Sequence, residues 1–417
     1  MNASVDPTVF ASPAGDGNLQ FPAGVVRLRP EKWRNLVAGH PWVFQSAVAS
    51  VEGTPRDGEV VDVVSDNGTF IGRGVINSRS RLRVRIYSQV PDRPLDAAFW
   101  QERIDRAIRW RETLGLVQPA RAVRLVYSES DGLSGLIVDR YDDQLVVQVN
   151  ALAVARRLDL LLDLLQERLA PSAIYVRTPA ETAKAEGLQP MDYVARGRRR
   201  AQAVRIYEGQ VAFLVDVGAG QKTGYYIDQR DNRQRVARYL ANRHVLDLFC
   251  YTGGFGLHAL VHGQAASVVG VDGSEAALDL AAQNAELNNV QPAVQWVHDD
   301  AFRFLDGELE AGRRYGAIVL DPPKFARNRS QIREALRAYH YLNRVALRLL
   351  EPDGILVTCS CSGNITRSDF LDMLFGVAQR SARRLDIVEQ LGHGPDHPVS
   401  MACPETEYLK CVVCRVE

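Results

Sequence analysis

The chain has no run of about 18 uninterrupted apolar residues, so no stretch is long enough to cross a bilayer as a helix. Its start, MNASVDPTVFASPAGDGNLQFPAG, lacks both a basic n-region and an apolar core, which excludes a secretory signal. The Pro, Gly, Ser and Asp content of that start cannot support packing, and residues 1–23 read as a flexible tail. A cytoplasmic protein with no membrane partner is expected. An excess of either charge is missing too: Lys+Arg and Asp+Glu are both 50, so no global field announces a nucleic acid and any RNA contact must rest on local patches. Tandem repeats are absent, as is low complexity beyond the tail. Six cysteines in a chain without a signal peptide argue for reduced thiols.

What is present is enough for several cores, since 417 residues with 46% apolar and 24% charged content predict two or three domains. Residues 24–95 hold short β-rich runs, VVRLRP, GEVVDVVSD, GTFIGRGVI and RLRVRIYS, punctuated by turns such as Asp66-Asn67-Gly68. Between residues 24 and 97 there are 11 Lys+Arg against 8 Asp+Glu, a surplus of only three. The Arg-rich strand from Arg79 to Arg85 reads equally as a solvated sheet face or an RNA platform. Residues 96–203 turn helical through AFWQERIDRAIRWRETLGL. They then alternate through LIVDRY, LVVQVN, a helix from Ala153 to Leu169, and AIYVRT, the pattern of a small α+β domain. An exposed basic run, Arg196 to Arg200, closes this segment and could meet phosphates. From about Val204 to residue 417, strand, glycine turn, helix and acid-ended strand succeed one another, which predicts an α/β, parallel, doubly wound sheet.

In that last segment VLDLFCYTGGFGLHAL joins a buried strand, Val245 to Phe249, to a glycine turn, Gly253, Gly254 and Gly256, that opens a helix. A second strand, SVVGVDGS, ends in Asp272 about 20 residues on, where a nucleotide-binding crossover sets its ribose carboxylate. The same arrangement serves dinucleotide enzymes. Asp247 just before the turn, and Asp300 at the end of a third strand, AVQWVHDDAF, favour S-adenosylmethionine over NAD, because they suit an amino-acid moiety and an adenine edge. Upstream, VDVGAGQKTGYYIDQRDNR sets Lys222, Thr223, Asp228 and Arg230 around Gly224, a polar density that by itself reads equally as a solvated turn before a helix from Gln229 to Leu240.

The glycine-turn segment resembles motif I and its successors in class I methyltransferases. By that resemblance Asp247, Thr252 and Gly253 lie near the methionine part of S-adenosylmethionine, Asp272 takes the ribose hydroxyls, and Asp300 accepts from the adenine amine. Ser274 and Asn284 could as easily be a helix cap and a surface helix residue as cofactor contacts. Together with GHPWVF at Gly39 to Phe44, QKTGYYIDQRDNR, LDPPKF at Leu320 to Phe325, TCSCSG at Thr358 to Gly363, and DHPV with ETEYLK, the whole resembles the ribosomal RNA large-subunit methyltransferase I family of 5-methylcytosine enzymes. The resemblance implies a PUA domain, a small α+β domain and a Rossmann-like methyltransferase domain in that order, with RNA as partner. It also implies that the QKTG segment covers the cofactor, which makes Thr223, Gly224 and Arg230 contacts.

Cytosine C5 is a poor nucleophile, and a thiolate adding to C6 makes it enamine-like. Cys359 and Cys361 both follow the strand GILVTCS, two residues apart and so on one face, and spacing does not choose between them. The family motif, closer to T-x-S-C-S, assigns the nucleophile to Cys361. Asp321 ends the strand AIVLD before two prolines, at the sheet edge where open α/β folds bind ligands, and is the second catalytic candidate, holding the base. Lys324 is a weaker candidate for neutralising charge. Trp42 and Tyr87 could stack on bases, although aromatics in small β domains are usually core. No metal is expected: Cys411 and Cys414 sit in one apolar strand and point to opposite faces, despite Cys403, His393 and His397 nearby. The alternatives are an N-methyltransferase acting on an exocyclic amine, for which an acid-Pro-Pro-aromatic loop is the hallmark, and a non-catalytic RNA-binding module. Whether the chain forms a homodimer is left open.

Overall fold

The computed structural model describes residues 19–199, 202–218 and 224–417. The β-rich runs near the start form one six-stranded sheet from Gly24–Leu28, Trp42–Phe44, Val48–Gly53, Val60–Val64, Phe70–Ile76 and Leu82–Ser88. A five-stranded sheet follows, built from Ala122–Tyr127, Leu136–Tyr141, Gln144–Val149, Ala173–Thr178 and Met191–Gly197. No loose linker divides the two. Val60, Val75 and Tyr87 of the first sheet pack in one core with Phe99, Trp100 and Ile104 of the helix Ala97–Thr113 and with Leu125, Val138 and Val147 of the second.

Three local expectations change on contact with the tertiary structure. The helix expected from Ala153 to Leu169 is two helices, Leu152–Ala155 and Leu158–Leu169. Between them Arg157 turns inward and donates to the carbonyls of Leu19, Gly58 and Ala153, a use of the side chain that sequence periodicity does not signal. The Arg79 to Arg85 strand is neither simply solvated nor simply a platform: Arg85 is buried and paired with Glu129 at 3.3 Å and Glu186 at 2.9 Å, both from the second sheet's segment. Trp42 and Tyr87 are likewise spent at this junction, Trp42 donating from Nε1 to Glu129 and Tyr87 from its hydroxyl to the Ser134 carbonyl.

A hairpin, Val204–Glu208 with Val211–Val215, leads into the C-terminal sheet. Its strands are β1 (His244–Leu248), β2 (Ser267–Asp272), β3 (Val294–His298), β4 (Tyr315–Leu320), β5 (Leu350–Ser360), β6 (Leu385–Leu391) and β7 (Lys410–Val416), in spatial order β3-β2-β1-β4-β5-β7-β6. The helices are α1 (Arg230–Ala237), α2 (Gly254–Val261), α3 (Glu275–Leu287), α4 (Ala301–Glu310), α5 (Ile332–Leu349) and α6 (Arg367–Ser381). β1 to β5 are parallel, as the alternation predicts, but β7 runs antiparallel between β5 and β6, which corrects the all-parallel expectation. The helix expected from Gln229 starts as a tight turn, Ile227–Gln229, and continues only to Ala237.

Strand alternation sorts the core of this sheet. Leu246, Leu248, Ile318, Leu320, Leu356 and Cys414 line one face with α5 and α6, whereas Val245, Val319, Cys359 and Cys411 line the other with α1 and α2. Cys411 and Cys414 therefore do point to opposite faces. No helix among the described residues is long and apolar enough to cross a membrane.

The buried Arg85 cluster generates a stability prediction. Arg85→Met leaves Glu129 and Glu186 without their guanidinium in a closed interface, and should cost about 3–5 kcal/mol. Pairing it with Glu186→Leu should recover part of that loss. Chemical denaturation at neutral pH measures both, and a single-variant cost under about 1 kcal/mol contradicts the assignment.

Candidate active site

The C-terminal ends of β1, β4 and β5 meet at one edge of the sheet. Leaving β1, the backbone passes through Phe249 (φ 61°), Tyr251 (φ 50°) and Gly253 (φ 84°), three left-handed positions of which only the glycine is unstrained. A side chain at Gly253 would also collide with Trp296, whose ring lies 2.6 Å from where its Cβ would stand. Three polar contacts hold the turn. Asp247 accepts from the Gly256 amide at 2.8 Å, Asp272 accepts from the Tyr251 amide at 2.9 Å, and Asn284 donates to the Thr252 carbonyl at 3.2 Å. Asn284 is fully buried and also accepts from Leu214 of the hairpin, so it is no surface residue, while Ser274 does cap α3.

Two buried oxygens at this turn have no hydrogen-bond partner: Asp247 Oδ1 and Thr252 Oγ1. Burial is the largest influence on the Asp247 carboxyl and raises its pKa to about 7, with the Gly256 hydrogen bond opposing. A polar ligand that reaches under the glycine turn relieves both orphans, as the amino-acid end of S-adenosylmethionine can. Asp272 is half-buried at the end of β2 and also accepts from the Ser274 amide. Asp300 is exposed and caps α4 by accepting from Phe302 and Arg303. Beside it Phe249, Phe302 and Phe325 form an aromatic row, with ring centroids 6.5 and 6.3 Å apart.

The polar segment before α1 is split in use. Thr223 and Lys222 lie outside the described residues. The Gly224 carbonyl accepts from the Tyr251 hydroxyl at 3.2 Å, so this glycine does sit over the turn. Arg230 is a strut: it pairs with Asp396 at 3.1 Å and Asp231 at 2.8 Å and reaches the Ala122 carbonyl of the second sheet. Gln229 is the residue that sequence reading missed. It is buried and donates to Asp321 at 3.0 Å while Asn232 donates to it at 2.6 Å. The only available signal was the spacing of Gln229 and Asn232, one turn apart within QRDNR.

Asp321 follows β4, half-buried, its amide donating to the Leu248 carbonyl of β1 at 3.4 Å. Cys361 follows β5, also half-buried, with its thiol donating to the Pro322 carbonyl at 3.7 Å. Cys359 differs: it is sealed inside β5 against Cys411, and burial pushes its thiol well up. The strand ends at Ser360, so alternation no longer governs Cys361 and the two cysteines part in exposure. Lys324 is exposed. The Phe325 ring packs on Tyr339 at 4.9 Å.

A different cluster gathers at the segment before β7. His40, Cys403 and Glu405 bring ligand atoms within 4.8 Å of one another. The Trp42 amide donates to His40 Nδ1 at 3.2 Å, which fixes Nε2 as the protonated donor to Glu405 and leaves it no lone pair for a metal. His393 is used by the backbone, accepting from the Tyr408 and Leu409 amides.

Residues 197–412 match the family described as S-adenosylmethionine-dependent methyltransferase, and residues 26–89 match a PUA-like domain. With the acid-flanked glycine turn, this defines a methyltransferase that uses S-adenosylmethionine, and sets the NAD reading aside. The chain is 40% identical over 393 residues to the ribosomal RNA large subunit methyltransferase I of Shewanella denitrificans, covering 94% of this chain and 99% of the relative. It is 38% identical to the protein of the same name from Escherichia coli O157:H7, over 92% of this chain and 97% of that one. The chain belongs to the ribosomal RNA large subunit methyltransferase I family. Its fold is similar to that of a solved structure named as a methyltransferase complexed with SAH, with a TM-score of 0.81, 20% identity, and coverage of 94% of this chain and 99% of that one.

Two predictions follow from the turn. Gly253→Ala should leave the fold intact and weaken S-adenosylmethionine binding at least about tenfold by calorimetry, since φ and Trp296 both reject the methyl group. The native Asp247 carboxyl titrates above its unfolded value of 3.8, so the stability it contributes is complete below about pH 4 and is lost as pH rises through about 7. Denaturation of the cofactor-free protein should thus be easier at pH 8 than at pH 5, and Asp247→Asn should flatten that slope.

Proposed function

We propose that this chain forms 5-methylcytosine in large-subunit ribosomal RNA, with Cys361 as the nucleophile and Asp321 holding the target base. The observation that carries the reading is the pairing of a half-buried thiol with the Asp-Pro-Pro loop: Cys361 hydrogen-bonds to Pro322, next to Asp321, at the sheet edge that also carries the glycine turn. Cys359 lacks the exposure a nucleophile needs. The names of the close relatives supply the substrate class.

Bound S-adenosylmethionine supplies an electrophilic methyl group on its sulfonium. Asp247, Thr252 and Gly253 would hold its amino-acid end, Asp272 its ribose and Asp300 its adenine edge, with Gly224 over the turn. Cys361, as the thiolate, adds to C6 of a cytosine turned out of the RNA, and the electron pair moves to C5. C5 would take the methyl group as the sulfonium carbon–sulfur bond breaks to leave a neutral thioether, and loss of the C5 proton to a base or water then returns the electrons and expels the Cys361 sulfur. Asp321, oriented by Gln229, accepts from the cytosine amine during both steps. Arg230 serves the site through the domain junction rather than by touching the cofactor, given its pairing with Asp396. The PUA-like sheet, with exposed Arg79 and Arg81, grips RNA phosphates in the cytoplasm.

The N-methyltransferase alternative needs an aromatic ring beside the acid-Pro-Pro loop to stack on the base. Here Lys324 intervenes and the Phe325 ring is packed against Tyr339. Replacement tests the choice directly. Cys361→Ala should lower methyl transfer to ribosomal RNA by at least about a thousandfold with cofactor binding unchanged, and Cys359→Ser should keep most of the activity. Mass spectrometry of the product nucleosides should find 5-methylcytosine. Full activity in Cys361→Ala, or a methylated exocyclic amine, sinks the reading.

A further inference from the structure

Lys410 is a fully buried cation next to the Cys361 loop, and neither step above uses it. Its side chain is 1% exposed, and in the sheet register it lies directly opposite Ser360, the residue before Cys361. The ammonium donates to three backbone carbonyls, Ser362 at 2.8 Å, Ile365 at 2.7 Å and Tyr408 at 2.9 Å. Two of these belong to the turn that begins at Cys361. That turn is also tied to the Asp-Pro-Pro loop, the Ala326 amide donating to the Ser362 hydroxyl at 3.2 Å. Among the described residues no carboxylate forms an ion pair with Lys410, and its direct hydrogen-bond partners are these three carbonyls.

We propose that Lys410 is a positioning residue for Cys361: it clamps the 361–365 turn against β7 and lends a buried positive charge that stabilises the thiolate. This rests on Cys361 being the nucleophile. Among the groups around Cys361 are Tyr226 before α1, Tyr339 on α5 and Lys410 on β7, with Asp321 next to its hydrogen-bond partner Pro322. Of these Lys410 alone is a cation. The carboxylate and partial burial both oppose a thiolate, and a charge in a poorly screened site offsets them. Around Lys410 itself stand Glu407, Arg367 and Asp369. Burial lowers the Lys410 ammonium to about 8, with Cys361 opposing that shift, so it is charged at neutral pH and releases its proton just above it. A neutral donor could hold the turn, but it would not supply the field.

The test is the pH dependence of Cys361 alkylation by iodoacetamide, read on the Cys361 peptide by mass spectrometry, which requires no methyl transfer. The full-length wild-type protein should titrate below the ordinary thiol value of about 8.5. Lys410→Gln, which keeps hydrogen-bond donors but no charge, should be at least about fivefold slower at pH 7, with its midpoint moved up. Lys410→Met should go further, and Lys410→Arg should restore much of the rate. A wild-type midpoint at or above 8.5, or an unchanged profile in Lys410→Gln, overturns the proposal without any variant having to be active. Activity surviving in Cys361→Ala would instead remove the reading beneath it, so the two failures are distinguishable.

Discussion

The backbone between Phe249 and Gly254 is the constraint on which the site depends. Three of its residues occupy left-handed conformations, two of them with Cβ atoms, and such a turn persists only where its surroundings over-determine it. Here Asp247, Asp272 and Asn284 each bind one of its peptide groups or the first amide turn of α2, and the Arg233 side chain fills the space under Gly254. Arg233 is itself held by Glu208 of the hairpin through two hydrogen bonds of 3.0 and 2.8 Å, and His258 of α2 meets the same carboxylate. The hairpin before the sheet therefore acts as a buttress for the glycine turn. Its sequence distance from the turn hides that role.

The balanced composition takes on a physical meaning at the domain junctions. Part of the positive charge is turned inward: Arg85, Arg111, Arg124, Arg230 and Arg233 are buried or nearly so, each against a carboxylate. Asp396 illustrates the economy of the arrangement. Its carboxylate accepts from Arg230, His397 and the Arg124 amide, and its carbonyl accepts from Arg111, so one residue joins α1, the second sheet and the helix Ala97–Thr113. The partners hold its carboxyl well below the usual range. Counting charges cannot separate such struts from a surface available to RNA.

Fold class was legible because it follows from local patterns. Alternation and short apolar runs marked the strands, the glycine turn marked the start of α2, and the acid-ended strands marked the sheet edge. The order of β7 was not legible, since KCVVCRV reads the same in either direction of pairing and only the crowded edge beyond β5 decides it. Within the site, Asp247, Thr252, Gly253 and Asp272 gather around one turn, as chain proximity suggests. Gln229, Asn284 and Lys410 owe their positions to partners 92, 70 and 48 residues away, and nothing in a local window announces such contacts. Arg230 stands in a motif dense with polar residues, yet its partner Asp396 is 166 positions downstream and equally hidden from a local window.

The interior place of β7 bears on how the protein is made. Residues 410–416 are the last strand of the sheet to leave the ribosome, yet they fill the gap between β5 and β6. Until they emerge, both neighbours present open hydrogen-bonding edges to the cell, the condition under which nascent sheets join the wrong partners. The sheet is completed only when this strand is in place, and with it the contacts of Lys410 to the Ser362 and Ile365 carbonyls.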